Sequence, residues 1–143
     1  MYAGLMTLTL ASMFAGAALY INVAEQPARL GLDDQAMLTE WKPAYKRGTR
    51  MQAPLAVLGC LFGMLAWWQT DNLIWIASAV MMIANLPVTF AIIWPTNTRL
   101  MHTQIQAAGP DSRALIVKWG KLHGIRTALG FGAAAASLLA LLG

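Results

Sequence analysis

Four apolar stretches constrain this chain more than anything else in it: Met1 to Val23, Met51 to Gln69, Asn72 to Trp94, and roughly Leu122 to Leu142. Each approaches the ~20 residues an α-helix needs to cross a bilayer core. Hydrocarbon offers no partner to a backbone N–H or C=O, so a spanning segment of this kind must be helical. Composition agrees, with 58% of the 143 residues hydrophobic and only 11% charged, too apolar for a water-soluble domain. The expected fold is therefore all-α, a four-helix transmembrane bundle forming one domain over residues 1–143. Two long connections, residues 24–50 and 95–121, join the first helix to the second and the third to the fourth.

The first stretch lacks the basic start of an export signal and is long enough to span, so it is read as a retained helix. Charge orients the bundle. Arg29, Lys42, Lys46, Arg47 and Arg50 fall in the first long connection, and Arg99, Arg113, Lys118, Lys121 and Arg126 in or beside the second. The short "TDN" link carries only Asp71. By the positive-inside rule both long connections are cytoplasmic and both termini face outward, as in an integral protein of a bacterial plasma membrane. The net charge of +4 follows from this rule and implies some attraction to anionic membrane lipid. The basic residues are scattered among apolar ones, so no nucleic-acid partner is expected.

Cys60 is the only cysteine. An intrachain disulfide, a CxxC pair and a thiol enzyme of the vitamin K epoxide reductase kind are excluded. Two histidines without HxH, HxxxH or HExxH spacing make a poor metal set, and no second buried His accompanies His123 for haem. No metal and no cofactor is assigned.

The connections have their own signals. "DDQAMLTEW" opens a helix with Asp33 or Asp34 as cap, and Pro43 is expected to interrupt or restart it. Gly109-Pro110 marks a turn, and Asp111 or Ser112 is a candidate N-cap for a helix running on into the fourth span. Pro87 is expected to kink the third helix, and Pro27 to end the first before Arg29. Gly130, Gly132 and the "AAAA" of 133–136 allow close helix contact, within the bundle or between copies in a homo-oligomer.

Polar residues gather at one end. Trp119, His123 and Arg126 are spaced four and three apart, as a helix face requires, and so are Asn22, Glu25 and Arg29, spaced three and four. Asn85 and Thr89 stand one turn apart in the third helix. Trp41 and Tyr45 form an aromatic pair at the same level, with Trp94 nearby. The outward half offers only Thr and Ser, which argues against a transport path through the full depth. A one-sided pocket holding an acid, a His and two Arg suits a flat, lipophilic, weakly acidic molecule: a base takes a proton and cations hold the anion. The alternative is a non-catalytic protein that binds a lipid, quinone or partner subunit through the same face.

"YINVAEQPARL", "MQAPLAVLG", "NLPVTFAIIWPTNTRL" and "WGKLHGIRTALG" together resemble the small membrane proteins classed as anthrone oxygenases (the DUF1772 group), across nearly the whole chain. Asn85-x-Pro87-x-Thr89, Pro95-Thr96-Asn97 and Trp119-x-x-x-His123-x-x-Arg126 carry the resemblance. Gln26 departs from it, standing where a His is expected in a Glu-His-Pro-x-Arg stretch. The resemblance implies oxidation of an anthrone to an anthraquinone by O₂, without metal or flavin. On this reading His123 is the base and Glu25 its orienter or the alternative base, while Arg29 and Arg126 stabilise the anion. Asn85, Thr89 and Asn97 hydrogen-bond substrate oxygens, and Trp119, Trp41 and Tyr45 supply aromatic walls.

Overall fold

A computed structural model describes residues 1–143. Its four long helices extend well past the apolar stretches at the polar end. They are α1 (Tyr2–Leu30), α2 (Asp34–Thr70), α3 (Ile74–His102) and α4 (Pro110–Leu142), each long and apolar enough to cross a membrane. The chain is an integral membrane protein, with large side chains such as Leu61, Phe131 and Leu139 turned outward where lipid takes the place of water. Successive helices pack side by side and α4 returns to α1, closing a four-membered ring with little contact across its diagonals.

The two long segments between apolar stretches are themselves mostly helical. At about 1.5 Å per residue, the 37 residues of α2 reach far beyond the hydrocarbon. Asp33 starts this helix, its Oδ1 accepting from the N–H of Ala36 at 2.8 Å. At the start of α4, Pro110 takes a first-turn position and the Ser112 hydroxyl accepts from the N–H of Gly109 at 3.0 Å. What remains of the connections is a three-residue turn, 31–33, and residues 103–109 with a 3₁₀ turn at Ile105–Ala107. The outer link is equally short, residues 71–73, with Asp71 in the left-handed region at φ 54°.

Two expectations about proline are corrected. Pro43 does not interrupt α2, and Pro27 does not end α1 before Arg29. Pro43 and Thr39, whose carbonyl it leaves without a donor, both lie on an exposed face of α2. In α3 the irregularity falls after Pro87. The helix widens to a π turn at Thr89–Ile93, and α1 does the same at Ile21–Glu25. Each π turn ends two residues before a proline, Pro27 or Pro95. The N–H of Gln26 bonds to the carbonyl of Ile21, and that of Trp94 to that of Thr89. A proline ring collides with the carbonyl four residues earlier, here Val23 or Ala91, and the wider turn carries that carbonyl clear.

Packing differs along the bundle. At the polar end large side chains fill the core: Met37, Leu38, Trp41, Ile93, Leu100, Ile116 and Trp119. Midway it narrows to Ala11, Ala18, Ala56 and Ala133 around Phe14 and Met82. Gly130 faces Phe14 and Ala15 so closely that an added Cβ would lie 2.9 Å from the Phe14 ring, and Gly132 presses on Met81. These small residues therefore serve contacts inside the bundle. Two of the basic residues have structural work at the polar end. Lys42 Nζ donates to the carbonyls of Met101 (3.2 Å) and Thr103 (2.5 Å), and Arg113 pairs with Asp34 while donating to Leu30 O and Leu32 O.

Candidate functional site

All four helices contribute to one small cavity at the polar end. From α4 come Trp119, His123 and Arg126; from α2, Ala44, Tyr45, Gly48, Thr49 and Gln52. The π-turn helices add Ile21 and Glu25 from α1, and Ile93 and Asn97 from α3. Both π turns thus lie against the site, a frequent placement for this irregularity. The space is about 20 Å³, room for roughly one water.

The polarity of the His123 ring follows from its neighbours. Asn22 donates through Nδ2 to Gly120 O at 2.8 Å, and a carbonyl can only accept, so the amide oxygen of Asn22 faces the other way. That oxygen accepts from Thr127 Oγ1 at 2.6 Å and lies 3.0 Å from His123 Nδ1. Nδ1 therefore carries the hydrogen, and Nε2 is left as an unprotonated acceptor with no protein partner. Trp119 packs beside the imidazole, ring centroids 5.1 Å apart. The orienting bond expected from Glu25 comes from Asn22 instead.

Glu25 has another partner. It pairs with Arg29, and Arg29 also pairs with Glu40 and donates to Gln26 Oε1 at 2.7 Å. Two carboxylates thus answer one guanidinium, and Arg29 lies over the Trp119 ring, 5.5 Å from its centroid, and does not line the cavity. Arg126 is the opposite case. It is 8% exposed, forms no ion pair, rests 5.5 Å from the Phe14 centroid, and leaves its Nε without an acceptor.

Other polar atoms at the cavity are also unanswered. Gln52 Nε2 and Asn97 Oδ1 have no partner, although both residues are buried. Asn97 Nδ2 donates to Tyr45 OH at 3.3 Å. Burying such a group unpaired costs about 1–3 kcal/mol, so an oxygen-bearing ligand or a water in the cavity would relieve several of these costs at once.

The expected residues divide accordingly. His123, Glu25, Arg126, Asn97, Trp119 and Tyr45 come together at the cavity. Trp41 stands one layer back, stacked on Tyr45 at 4.9 Å and edge-on to Trp119 at 5.7 Å, with its Nε1 unpartnered. Asn85 and Thr89 do not line it: Asn85 Nδ2 bonds to the carbonyls of Met81 and Met82, and Thr89 Oγ1 to that of Asn85. Trp94 is exposed beside Phe90. Asn22 lies on the polar face read from spacing, which gave it no role; Gln52 and Thr49 gave no site signal by residue type, yet Tyr45, Thr49 and Gln52 repeat the four-then-three spacing of Trp119, His123 and Arg126. Gln26, in place of the expected His, ties α1 to α4 by donating to Ile116 O at 2.9 Å, and it lies outside the cavity. No three His, Cys, Asp or Glu side chains converge anywhere in the chain.

Comparison with known proteins addresses the same residues. The family model for anthrone oxygenase matches residues 41–136, which include every cavity residue of α2, α3 and α4. The anthrone oxygenase tpcL of Aspergillus fumigatus is 32% identical over 126 residues, covering 81% of this chain and 78% of that protein. No solved structure matches. With a family model and a relative both extending over most of the bundle, the chain belongs to the anthrone oxygenase family.

Proposed function

We propose that this protein oxidises an anthrone-type or related phenolic substrate with O₂ at the cavity between His123 and Arg126. Family membership points to oxygenase-type chemistry, a small-molecule substrate and O₂. The observation that carries the finer reading is the unpaired, buried guanidinium of Arg126 beside an imidazole whose Nε2 is free to accept a proton. A buried cation without a counter-charge is costly, and an anion formed next to it repays that cost only when it forms.

His123 Nε2 removes a proton from the activated CH₂ of the substrate, and the charge passes to the substrate's carbonyl oxygen, which faces Arg126. Gln52 Nε2 is a second donor to that oxygen. The electron-rich anion gives one electron to O₂, the resulting pair combines at the former CH₂ carbon, and protonated His123 returns its proton to the peroxide. Loss of water from this hydroperoxide leaves a ketone: one anthrone and one O₂ give one anthraquinone and one water. Asn97 and Tyr45 hold the substrate's other oxygens, and Trp119 forms a wall. Glu25 and Arg29 act as a fixed pair that keeps α1 in place, and Asn22 holds the base in its tautomer. The polar end faces the cytoplasm, with both termini outside, because the basic residues collect there.

The test is oxygen uptake by the protein in nanodiscs with an anthrone, counted above the spontaneous rate. General-base catalysis is worth about 10²–10⁴-fold and an oxyanion donor about 10²–10³-fold, so His123→Gln and Arg126→Met should each remove nearly all the excess. Full activity in either variant would sink the assignment.

A further inference from the structure

The cavity, at about 20 Å³, is far smaller than the roughly 300–1,000 Å³ of ligand pockets. A three-ring substrate therefore enters only if a wall moves. One wall is thin. A lateral groove of about 360 Å³ between α1 and α2 shares four lining residues with the cavity: Ile21, Glu25, Ala44 and Gly48. Gly48 and Ala44 put almost nothing in the way, since the nearest atom to a Cβ built at Gly48 is Ile21 Cδ1, 3.9 Å away. Ile21 opens the π turn of α1, and its side chain is the chief apolar plug between groove and cavity.

The rim fits an amphiphilic aromatic arriving from the membrane. Tyr20 and Met51 are strongly exposed at 61% and 51%, and the exposed Arg47 stands among them. That pairing places a cation and an aromatic ring where a hydroxylated polycycle lies, at the boundary of headgroups and hydrocarbon. A second groove, between α1 and α4, is larger, about 570 Å³, but shares no lining residue with the cavity. The hydrogen-bonded Asn22, Thr127 and His123 network closes it off.

Resting on the oxygenase reading above, we propose that the substrate enters sideways from the bilayer through the α1–α2 groove, past Gly48, with Ile21 as the gate. The same route returns the quinone product to the membrane.

The experiment uses the full chain in nanodiscs and two readouts: stopped-flow quenching of tryptophan fluorescence by a hydroxyanthraquinone, and kcat/KM for oxidation of the matching anthrone. Gly48→Leu fills the shared wall, Ala17→Phe fills the groove outside the cavity, and Gly124→Leu fills the α1–α4 groove as a control. The first two should slow quinone association and lower kcat/KM at least tenfold, with Gly124→Leu within twofold of the parent. Normal association in Ala17→Phe, or slowing confined to Gly124→Leu, overturns the proposal even if the enzyme is active. Parent protein that takes up the quinone by a groove-dependent route yet adds nothing to spontaneous oxidation supports the entrance and sinks the chemistry.

Discussion

The two halves of the bundle treat buried polar groups in opposite ways. In the apolar half the buried hydroxyls are all answered: Thr7 Oγ1 bonds to Ala3 O at 2.9 Å, and Ser78 and Ser137 bond to each other at 2.7 Å and to Ala133 O. The polar half leaves Gln52 Nε2, Asn97 Oδ1, Arg126 Nε and Trp41 Nε1 without partners, and Asn85 Oδ1, near the middle of α3, is unanswered as well. Both halves sit in the same four helices, so the contrast is not one of fold. Where only stability is at stake, a hydroxyl closes back on its own helix, as Thr7 and Ser137 do, or onto the neighbouring one, as Ser78 does. Where longer side chains from all four helices converge, the ends of Gln52, Asn97 and Arg126 meet at a space that the protein itself does not fill.

The contrast is broken most severely at Arg126. Arg126→Met should cost at least about a hundredfold in kcat/KM while leaving thermal stability equal or higher, because an unpaired buried charge is replaced by an apolar side chain of similar length. A variant that loses activity only because it melts would instead make Arg126 structural. Asn22→Ala comes next. The imidazole keeps its place but loses its fixed tautomer, and kcat should fall about 10–100-fold with KM little changed, measured by saturation kinetics against His123→Gln.

In the apolar half the ordering reverses. Gly130→Val drives a side chain into Phe14 and the Ala15 backbone, and overpacking of this kind costs about 1–3 kcal/mol. Denaturation in detergent should register that loss, with the activity per folded molecule unchanged. The smallest effect belongs to Ser78→Ala, about 0.6 kcal/mol, the mean for hydrogen bonds between membrane helices, with no effect on turnover. If Gly130→Val or Ser78→Ala lowered kcat as far as Asn22→Ala does, the division between a structural half and a chemical half would be lost.

Some of the site was legible because helical spacing is arithmetic. Trp119, His123 and Arg126 lie on one face in any straight helix, and the structure keeps them together at the cavity. Asn85 and Thr89 had the same kind of spacing, yet their side chains turn to their own backbone. Spacing fixes a face but not which neighbour that face meets. Gln52 was hidden for a related reason, since a single amide in "MQAPLAVLG" says nothing until α2 is seen to carry Tyr45, Thr49 and Gln52 towards α4.

What the sequence determined by itself is the class of fold: apolar length and the absence of backbone partners in lipid leave a four-helix bundle as the outcome. It also placed the polar residues at one end, because hydropathy is a property of the chain read in order. Only the tertiary structure decided that α1 and α2 continue through Pro27 and Pro43, that Arg29 is neutralised while Arg126 is not, and that Asn22 rather than Glu25 holds His123. Those outcomes depend on distances between helices tens of residues apart, and a pairing of charges or a choice of hydrogen-bond partner exists only once those helices have packed.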